Sequence, residues 1–501
     1  MARPQRIDPK RNRFMFAIGT SGRDLFYTLY SGYLLAFILY TKHLSVAEFA
    51  LVTVIMVCCR AFDAIIDPFV GGLIENTHSK YGRFKPWIVI GGLSAAVVLF
   101  LIFSVPLDGW KFLVFLAFAN VALAATYSLN DIAYWGMLPA LTSDQTERTK
   151  LTSLACFTGS IGSAAAFVLI PMLTNGQNAI GGSAAIAFPV IAVIATAAML
   201  GTQLFTLFGA HEPEFAVKNA EKAPRLKFKD IIRVVVTNDQ LLWACLGLIC
   251  QSIAGGLLSS TLSQLFIYTR FKYDGFLYTV SMVGVAAGGV LANILLDKLH
   301  IRFGRKRVVK FCTLLFIFGN AVVLTAGLVL PRGGGWDTAL FVTYILGLLF
   351  AGFGSNAFYM TMLVSVSNTV EYNELRTGNR QEGLIYSVRP LFLQTASAIV
   401  SGAVAAILLA LGLTNVTNQI SDWENEVKRG ELTEIVKLEK ISELLQSVDT
   451  SSLNYLLVAI TVIPTMLLVI GYLVYRKKYF IDEEYYENMK KEIIAKGEEI
   501  A

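Results

Sequence analysis

Charge is scarce in this chain. Only 16% of its 501 residues are charged, against about a quarter in soluble domains, and the deficit is a membrane signature. There are only four histidines, scattered in or near connecting segments without metal-ligand spacing. All six cysteines (Cys58, Cys59, Cys156, Cys245, Cys250 and Cys312) fall inside apolar stretches, which excludes a disulfide framework of the secreted kind. No glycine-rich phosphate loop of the Walker type occurs, so the chain holds no ATP-driven pump of its own. No cleavable leader is read: the apolar run from Phe14 is too long and lacks a small-residue cleavage site.

What remains is hydrophobic, at 55% of residues. About twelve apolar segments reach the roughly 20 residues needed to span a bilayer: 14–40, 46–74, 87–106, 110–139, 150–174, 183–209, 240–268, 276–296, 307–330, 337–365, 383–412 and 454–475. Only helices satisfy every backbone group across such runs, so the expected fold is an all-α polytopic membrane protein. Basic residues cluster at the amino terminus (Arg3, Arg6, Lys10, Arg11, Arg13), after the second span (Lys80, Arg83, Lys85), in the middle connection, after the eighth span (Arg302, Arg305, Lys306, Arg307) and after the last. Segment 175–182 has none. This asymmetry places both termini in the cytoplasm and accounts for the net charge of +6 as topology; nothing in it suggests nucleic-acid binding.

Against that background four aspartates stand out: Asp24, Asp63, Asp67 and Asp131. A carboxylate at the centre of a membrane helix costs about 2.5–3.5 kcal/mol on insertion scales, so four cost roughly 10–14 kcal/mol. A passive anchor would not carry that burden, and the acids read as the lining of a cation or substrate path.

The charged connection near 211–239 divides the spans six and six. Each half repeats a basic glycine loop after its second span, Gly82-Arg83-Phe84-Lys85 and Gly304-Arg305-Lys306-Arg307. That repetition predicts two pseudo-symmetric six-helix halves with a binding site at their interface. The expected boundaries are 1–210, a linker at 211–239, a second half at 240–480 and a cytoplasmic tail at 481–501. An external segment at 414–452 should form a short amphipathic surface helix without chemistry of its own. Arg83, Arg305 and Glu371 are expected to gate the cytoplasmic side, the arginines capping helix ends and pairing with acids such as Glu371 or Glu374.

Arg60, Asp63 and Asp67 share one face of the second span, because residues three and four apart are neighbours. Two carboxylates one turn apart offer a site for sodium or a proton; a purely structural Arg–Asp pair is the alternative. In the first span Arg23 and Asp24 run into Tyr27, and in the fourth Tyr127, Asp131 and Trp135 form a comparable stripe that also carries Tyr134. Carboxylates accept sugar hydroxyl hydrogens and ring faces pack on C–H surfaces, so these residues are candidates for a sugar site. Helix packing is the competing use of the aromatics. The eleventh span adds Tyr386, Ser387, Arg389 and Gln394, with Arg389 either facing a cavity or snorkelling to the membrane edge. The seventh adds neutral groups only (Gln251, Ser259, Ser260, Thr261, Ser263, Gln264).

Gly22-Arg23-Asp24, Arg60 to Pro68, Tyr81 to Trp87, Asn130 to Trp135, Thr369-Val370-Glu371-Tyr372 and Glu382 to Ser387 occur in this order. Together they resemble the glycoside–pentoside–hexuronide:cation symporter family of the major facilitator superfamily. The resemblance implies a symporter, not an enzyme, that moves a sugar, glycoside or uronide with sodium or a proton, without a cofactor and as a monomer in the cell membrane. It implies cation ligands at Asp63 and Asp67, sugar-binding acids at Asp24 and Asp131, a basic partner at Arg23 and an aromatic near the sugar at Trp135. Two departures leave the sugar and the ion open. An arginine that one branch carries early in its fifth span has no counterpart in Leu151 to Phe157, and a lysine of its eleventh span aligns with Gln394; Arg389 is a compensating positive charge that suits an acidic sugar. Among rivals, a carrier of lipids or exported compounds would favour a more apolar cavity than four acids allow. A transferase should cluster histidines or acids at one face, and a sensor should add a soluble domain.

Overall fold

The computed structural model describes residues 9–77, 79, 81–142, 144–210, 237–330, 337–377 and 382–500. Among them the helices are α1 (Pro9–Thr41), α2 (Val46–Glu75), α3 (Lys85–Ser104), α4 (Gly109–Leu141), α5 (Gln145–Thr174), α6 (Ala184–Gly209), α7 (Asp239–Leu258), α8 (Thr261–Arg270), α9 (Gly275–Phe303), α10 (Arg305–Val329), α11 (Asp337–Thr377), α12 (Glu382–Ala410), α13 (Thr414–Arg429), α14 (Glu434–Ser447), α15 (Thr450–Lys478) and α16 (Glu483–Ile500). No strand occurs among the described residues. Ten of these segments are long and apolar enough to cross a membrane. α1 and α2 match them in length, with 33 and 30 residues, and carry Arg23, Asp24, Arg60, Asp63 and Asp67.

The expected span at 240–268 is broken. α7 ends at Leu258, and Ser260 caps the start of α8 by accepting from the Leu262 amide at 3.3 Å. Adjacent serines offer the backbone side-chain partners that compete with the helical ladder, and the chain takes them here.

The helices form two compact units. The first comprises Met1–Arg225, Tyr273–Thr279 and Leu413–Ser442; the second comprises Leu226–Lys272, Val280–Gly412 and Glu443–Ala501. In the first, α1 is the central helix, packed on both α5 and α6. Two glycines allow the close approach: a Cβ at Gly22 would strike the Ala198 carbonyl of α6, and one at Gly162 would strike the Ser21 carbonyl of α1. Small residues at helix crossings are how membrane helices gain van der Waals contact without a hydrophobic drive. In the second unit α11 packs along α10 and α7, and α15 along α7.

The external segment differs from the expected single surface helix. It forms two helices, α13 and α14, and α13 packs on α1 and α6 within the first unit. Glu424 and Lys437 are both fully buried and pair at 3.1 Å. Glu424 also accepts from the Ala184 amide (2.8 Å) and the Tyr273 hydroxyl (2.9 Å), while Lys437 donates to the Gly182 carbonyl. Asn425 donates to the Thr41 carbonyl at the end of α1, and Asn418 exchanges hydrogen bonds with the Leu44 backbone. A buried pair needs further hydrogen bonds to offset desolvation, and here both Glu424 oxygens accept and Lys437 donates to a carbonyl as well as to its partner.

Candidate functional site

The acids of α1 and α4 meet on one arginine. Arg23 donates from Nη2 to Asp24 Oδ1 (2.8 Å), from Nε to the same oxygen (3.2 Å), and from Nη1 to Asp131 Oδ1 (2.8 Å). Its guanidinium lies 5.2 Å from the Tyr134 ring centre and 4.8 Å from that of Trp135. The planar, weakly hydrated guanidinium suits this geometry, pairing at its edge while stacking on aromatic faces. Arg23 is 5% exposed, whereas the Asp24 and Asp131 side chains are 29% and 37% exposed. Every hydrogen bond to these carboxyls among the described residues lands on Oδ1, leaving each Oδ2 with acceptor capacity. Asp24 Oδ2 faces Gly159 of α5, in space that a Cβ at that position would fill. Tyr27 and Tyr127 stack at 5.1 Å between ring centres, and Phe26 stacks on the other side of Tyr127 at 5.9 Å.

The second pair of acids sits on α2. Asp63 lies 3.8 Å from Arg60 Nη1, an ion pair longer than a hydrogen bond, and Arg60 reaches the Tyr27 hydroxyl at 3.4 Å with Tyr30 beneath it. Asp67 accepts from the Ser128 hydroxyl at 2.7 Å. Counted together, the four acids face two arginines, Arg23 and Arg60, so this group of side chains keeps an excess of carboxylate. Such an excess in a low-dielectric setting favours uptake of a cation or a proton.

The second unit holds a different environment. A cavity of about 520 Å³ opens among α7, α9 and α11, lined by Gln251, Ser252, Ser259, Ser355, Asn356 and Tyr359 among others, with no acid in its wall. Of the neutral residues expected from the seventh span, Gln251 and Ser259 reach it, while Ser263 and Gln264 are buried in local hydrogen bonds. On α12, Arg389 donates to the Tyr359 hydroxyl at 2.7 Å and does not snorkel outward; Gln394 is half-buried and outside the cavity wall. The side chains of Tyr386 and Ser387 lie outside the described residues.

The expected gate residues fall as follows. Arg83 donates to the Ile74 carbonyl at 3.3 Å, capping the end of α2. Arg305 pairs with Glu483 of α16 at 3.0 Å rather than with Glu371 or Glu374 of α11. The reason is local: Arg305 opens α10, its free backbone N–H donates to Glu483 Oε1 at 2.7 Å, and a carboxylate at a helix start is favoured by the aligned peptide dipoles. Lys306 adds a contact to Asp482 at 3.1 Å.

Two residues of the site, Ser128 and Gly159, escaped the sequence reading. Ser128 belongs to the face of Asp131 and Trp135 by its spacing, and that periodicity was sufficient to find it. Tyr134, expected on the stripe of Asp131 and Trp135, backs Arg23 and donates to the Phe16 carbonyl. Gly159 carries no pattern signal, because its role depends on an oxygen contributed by another helix.

Residues 15–483 match the family described as MFS/sugar transport protein. The raffinose carrier protein of Pediococcus pentosaceus is 29% identical over 421 residues, covering 80% of this chain and 63% of that protein. The lactose permease of Leuconostoc lactis is 29% identical over 428 residues, covering 80% of this chain and 62% of that one. The aligned region thus spans less than two thirds of either relative's length. A solved D-xylose–proton symporter shares the fold, with a TM-score of 0.56 at 15% identity, over 87% of this chain and 98% of that one. The matching family and these relatives are carriers, permeases and symporters, not enzymes.

Proposed function

We propose, since the chain belongs to the family of MFS sugar transport proteins, that it carries a sugar or glycoside across the cell membrane by cation-coupled symport. The observation that carries this reading is the knot of Arg23, Asp24 and Asp131, stacked on Trp135 and left with one open oxygen on each acid. Sugar hydroxyls donate to those oxygens, and the partly buried rings of Tyr27, Tyr127 and Trp135 offer apolar surface for the C–H side of the sugar. Asp63 and Asp67 provide the cation site: oxygen ligands for sodium, or a carboxyl that takes a proton. Arg23 holds the two sugar acids in a fixed orientation, each bonded through one oxygen. The cycle is alternating access, with the loaded carrier releasing sugar and cation on the opposite side. The basic connections support a topology with both termini in the cytoplasm, and the carrier acts as a monomer.

The test is uptake into proteoliposomes. Lactose, raffinose, a β-glucuronide and xylose are supplied under imposed sodium or proton gradients. Accumulation of at least one sugar above its external concentration, driven by one of the two ions, is the expected result. Uptake of every sugar that never exceeds equilibrium under either gradient contradicts the coupling, and no uptake of any sugar contradicts the substrate class.

A further inference from the structure

The start of α3 and the end of α6 lie side by side in the first unit and leave a groove between them. Its volume of about 380 Å³ lies within the roughly 300–1,000 Å³ usual for small-molecule sites. The walls are apolar: Pro86, Val89 and Ile90 from α3, Leu207 and Phe208 from α6. Val89, Ile90 and Phe208 are exposed, the last by 76%. Both helices are long and apolar enough to cross a membrane, so this open wall meets lipid. The apolar surface continues past the groove. Exposed Leu93 and Val97 follow Val89 at four-residue steps, and exposed Leu204 precedes Phe208 by the same step.

Positive charge stands at the mouth. Lys85, the first residue of α3, donates from Nζ to the Leu207 and Ala210 carbonyls, each at 2.7 Å. Those bonds tie α3 to α6 and hold the ammonium beside the groove. Arg83 lies two residues earlier, bonded to the Ile74 carbonyl and without an ion pair among the described residues. The exposed ring of Tyr81 completes the mouth, as tyrosines do at a membrane–water boundary. From Lys85 to Ile90 the groove runs about 8 Å along the helix, the depth of the headgroup–acyl boundary. A sugar would find few hydrogen-bond partners in such walls, and a small anion would gain nothing from them. A molecule with an apolar tail and an anionic head uses both.

We infer that this groove seats an anionic phospholipid, with one acyl chain against Val89, Leu207 and Phe208 and its phosphate at Lys85 and Arg83. The groove is continuous with the lipid-facing surface, and its charged end complements the phosphate. The inference needs only that α3 and α6 span a bilayer, and it holds whatever solute the carrier moves.

The experiment uses the full chain in phosphatidylcholine nanodiscs doped with phosphatidylglycerol that carries a photoactivatable acyl chain. Adducts are mapped by peptide mass. The exposed stripe of Phe311, Leu314 and Phe318 on α10 serves as the reference for ordinary boundary lipid. Adducts should concentrate on residues 86–93 and 204–208, saturate, and be displaced by unlabelled phosphatidylglycerol but not by added phosphatidylcholine. Val89→Trp, which fills the slot, should remove those adducts and spare the ones on α10. Arg83→Gln and Lys85→Gln should each weaken the preference for phosphatidylglycerol about tenfold; Arg83→Gln leaves the tie between α3 and α6 in place. Equal labelling of α3, α6 and α10 would show boundary lipid alone and overturn the site. Equal displacement by phosphatidylcholine, or an unchanged preference in Arg83→Gln and Lys85→Gln, would overturn the anionic head. Parent-level labelling in Val89→Trp would take the chain out of the groove. Disulfide-linked dimers of a Val89→Cys protein, absent from the parent, would show a second copy covering the groove, and the lipid assignment would fall.

Discussion

Two charge networks are buried in the first unit, and they differ in what they leave unsatisfied. Glu424 and Lys437 are balanced, fully enclosed, and hydrogen-bonded further to Ala184, Tyr273 and Gly182. Arg23 is just as buried, but its two acids are partly exposed, outnumber it, and each keep an open oxygen. A pair enclosed in this way is closed to a ligand; it specifies where α13 and α14 dock. The unsaturated knot retains the acceptors that recognition requires. Burial of charge alone therefore does not mark a site. Spare hydrogen-bonding capacity together with access does.

The comparison breaks most visibly at Lys437. Replacing it with methionine strands Glu424 in a sealed site, and removing one partner of a buried pair costs about 3–5 kcal/mol. Thermal unfolding should register that loss, and a Glu424→Leu, Lys437→Met double variant should recover part of it. Equal stability of single variant and parent would mean that the pair is solvated. Arg23→Gln should cost less stability, since its acids are partly exposed, yet it should abolish sugar binding. A variant that unfolds as readily as Lys437→Met but still binds sugar would reverse the two assignments.

Asp24→Ala and Asp131→Ala sharpen the contrast. Hydrogen bonds to a charged acceptor are worth about 1.5–3 kcal/mol each, so affinity should fall roughly ten- to hundredfold with little change in melting temperature. Unchanged affinity in both variants, measured by calorimetry, would remove them from the pocket.

The smallest effect belongs to the clip of α16 on α10. Burial pushes Glu483 upward, but the Arg305 amide and guanidinium outweigh it and hold the carboxyl below its ordinary value; the Tyr485 amide and Lys306 do the same for Asp482. With depressed values in the folded state, the stabilisation is present at neutral pH and disappears as the pH falls through them, below the usual carboxylate range near about 4. Both side chains are half-exposed, which limits the effect to about 1 kcal/mol or less. Protection factors of the amides of residues 483–493, referred to intrinsic exchange at each pH, should fall in acid in the parent and already be low at neutral pH in Glu483→Gln. Identical protection in both would show that the clip does not hold the helix.

The helices were legible because a bilayer demands long apolar runs, and the acids were legible because the same bilayer penalises them. Helical spacing placed Asp63 beside Arg60 and Tyr127 on the face of Asp131. It did not reveal that Arg23 ties Asp24 to Asp131, since that contact joins helices a hundred residues apart. The break at Ser259–Ser260 was hidden inside one apolar run, where two serines weigh little in hydropathy. The external segment misled for a different reason. Glu424 and Lys437 look like solvated charges on amphipathic helices, and their partners lie in the connections at 182–184 and 273. Arg305 was expected on Glu371 because both flank the cytoplasmic ends of spans, whereas Glu483 reaches it from a helix that the apolar pattern cannot predict.

The central claim is that the excess carboxylates of the first unit couple sugar movement to a cation. It is tested most directly by comparing Asp67→Asn with the parent in proteoliposomes, measuring gradient-driven accumulation and sugar–sugar exchange in the same preparation, with whichever sugar and ion the parent uses. Loss of accumulation with exchange largely retained is the predicted result. Accumulation by Asp67→Asn against a sugar gradient at the parent rate would contradict the account.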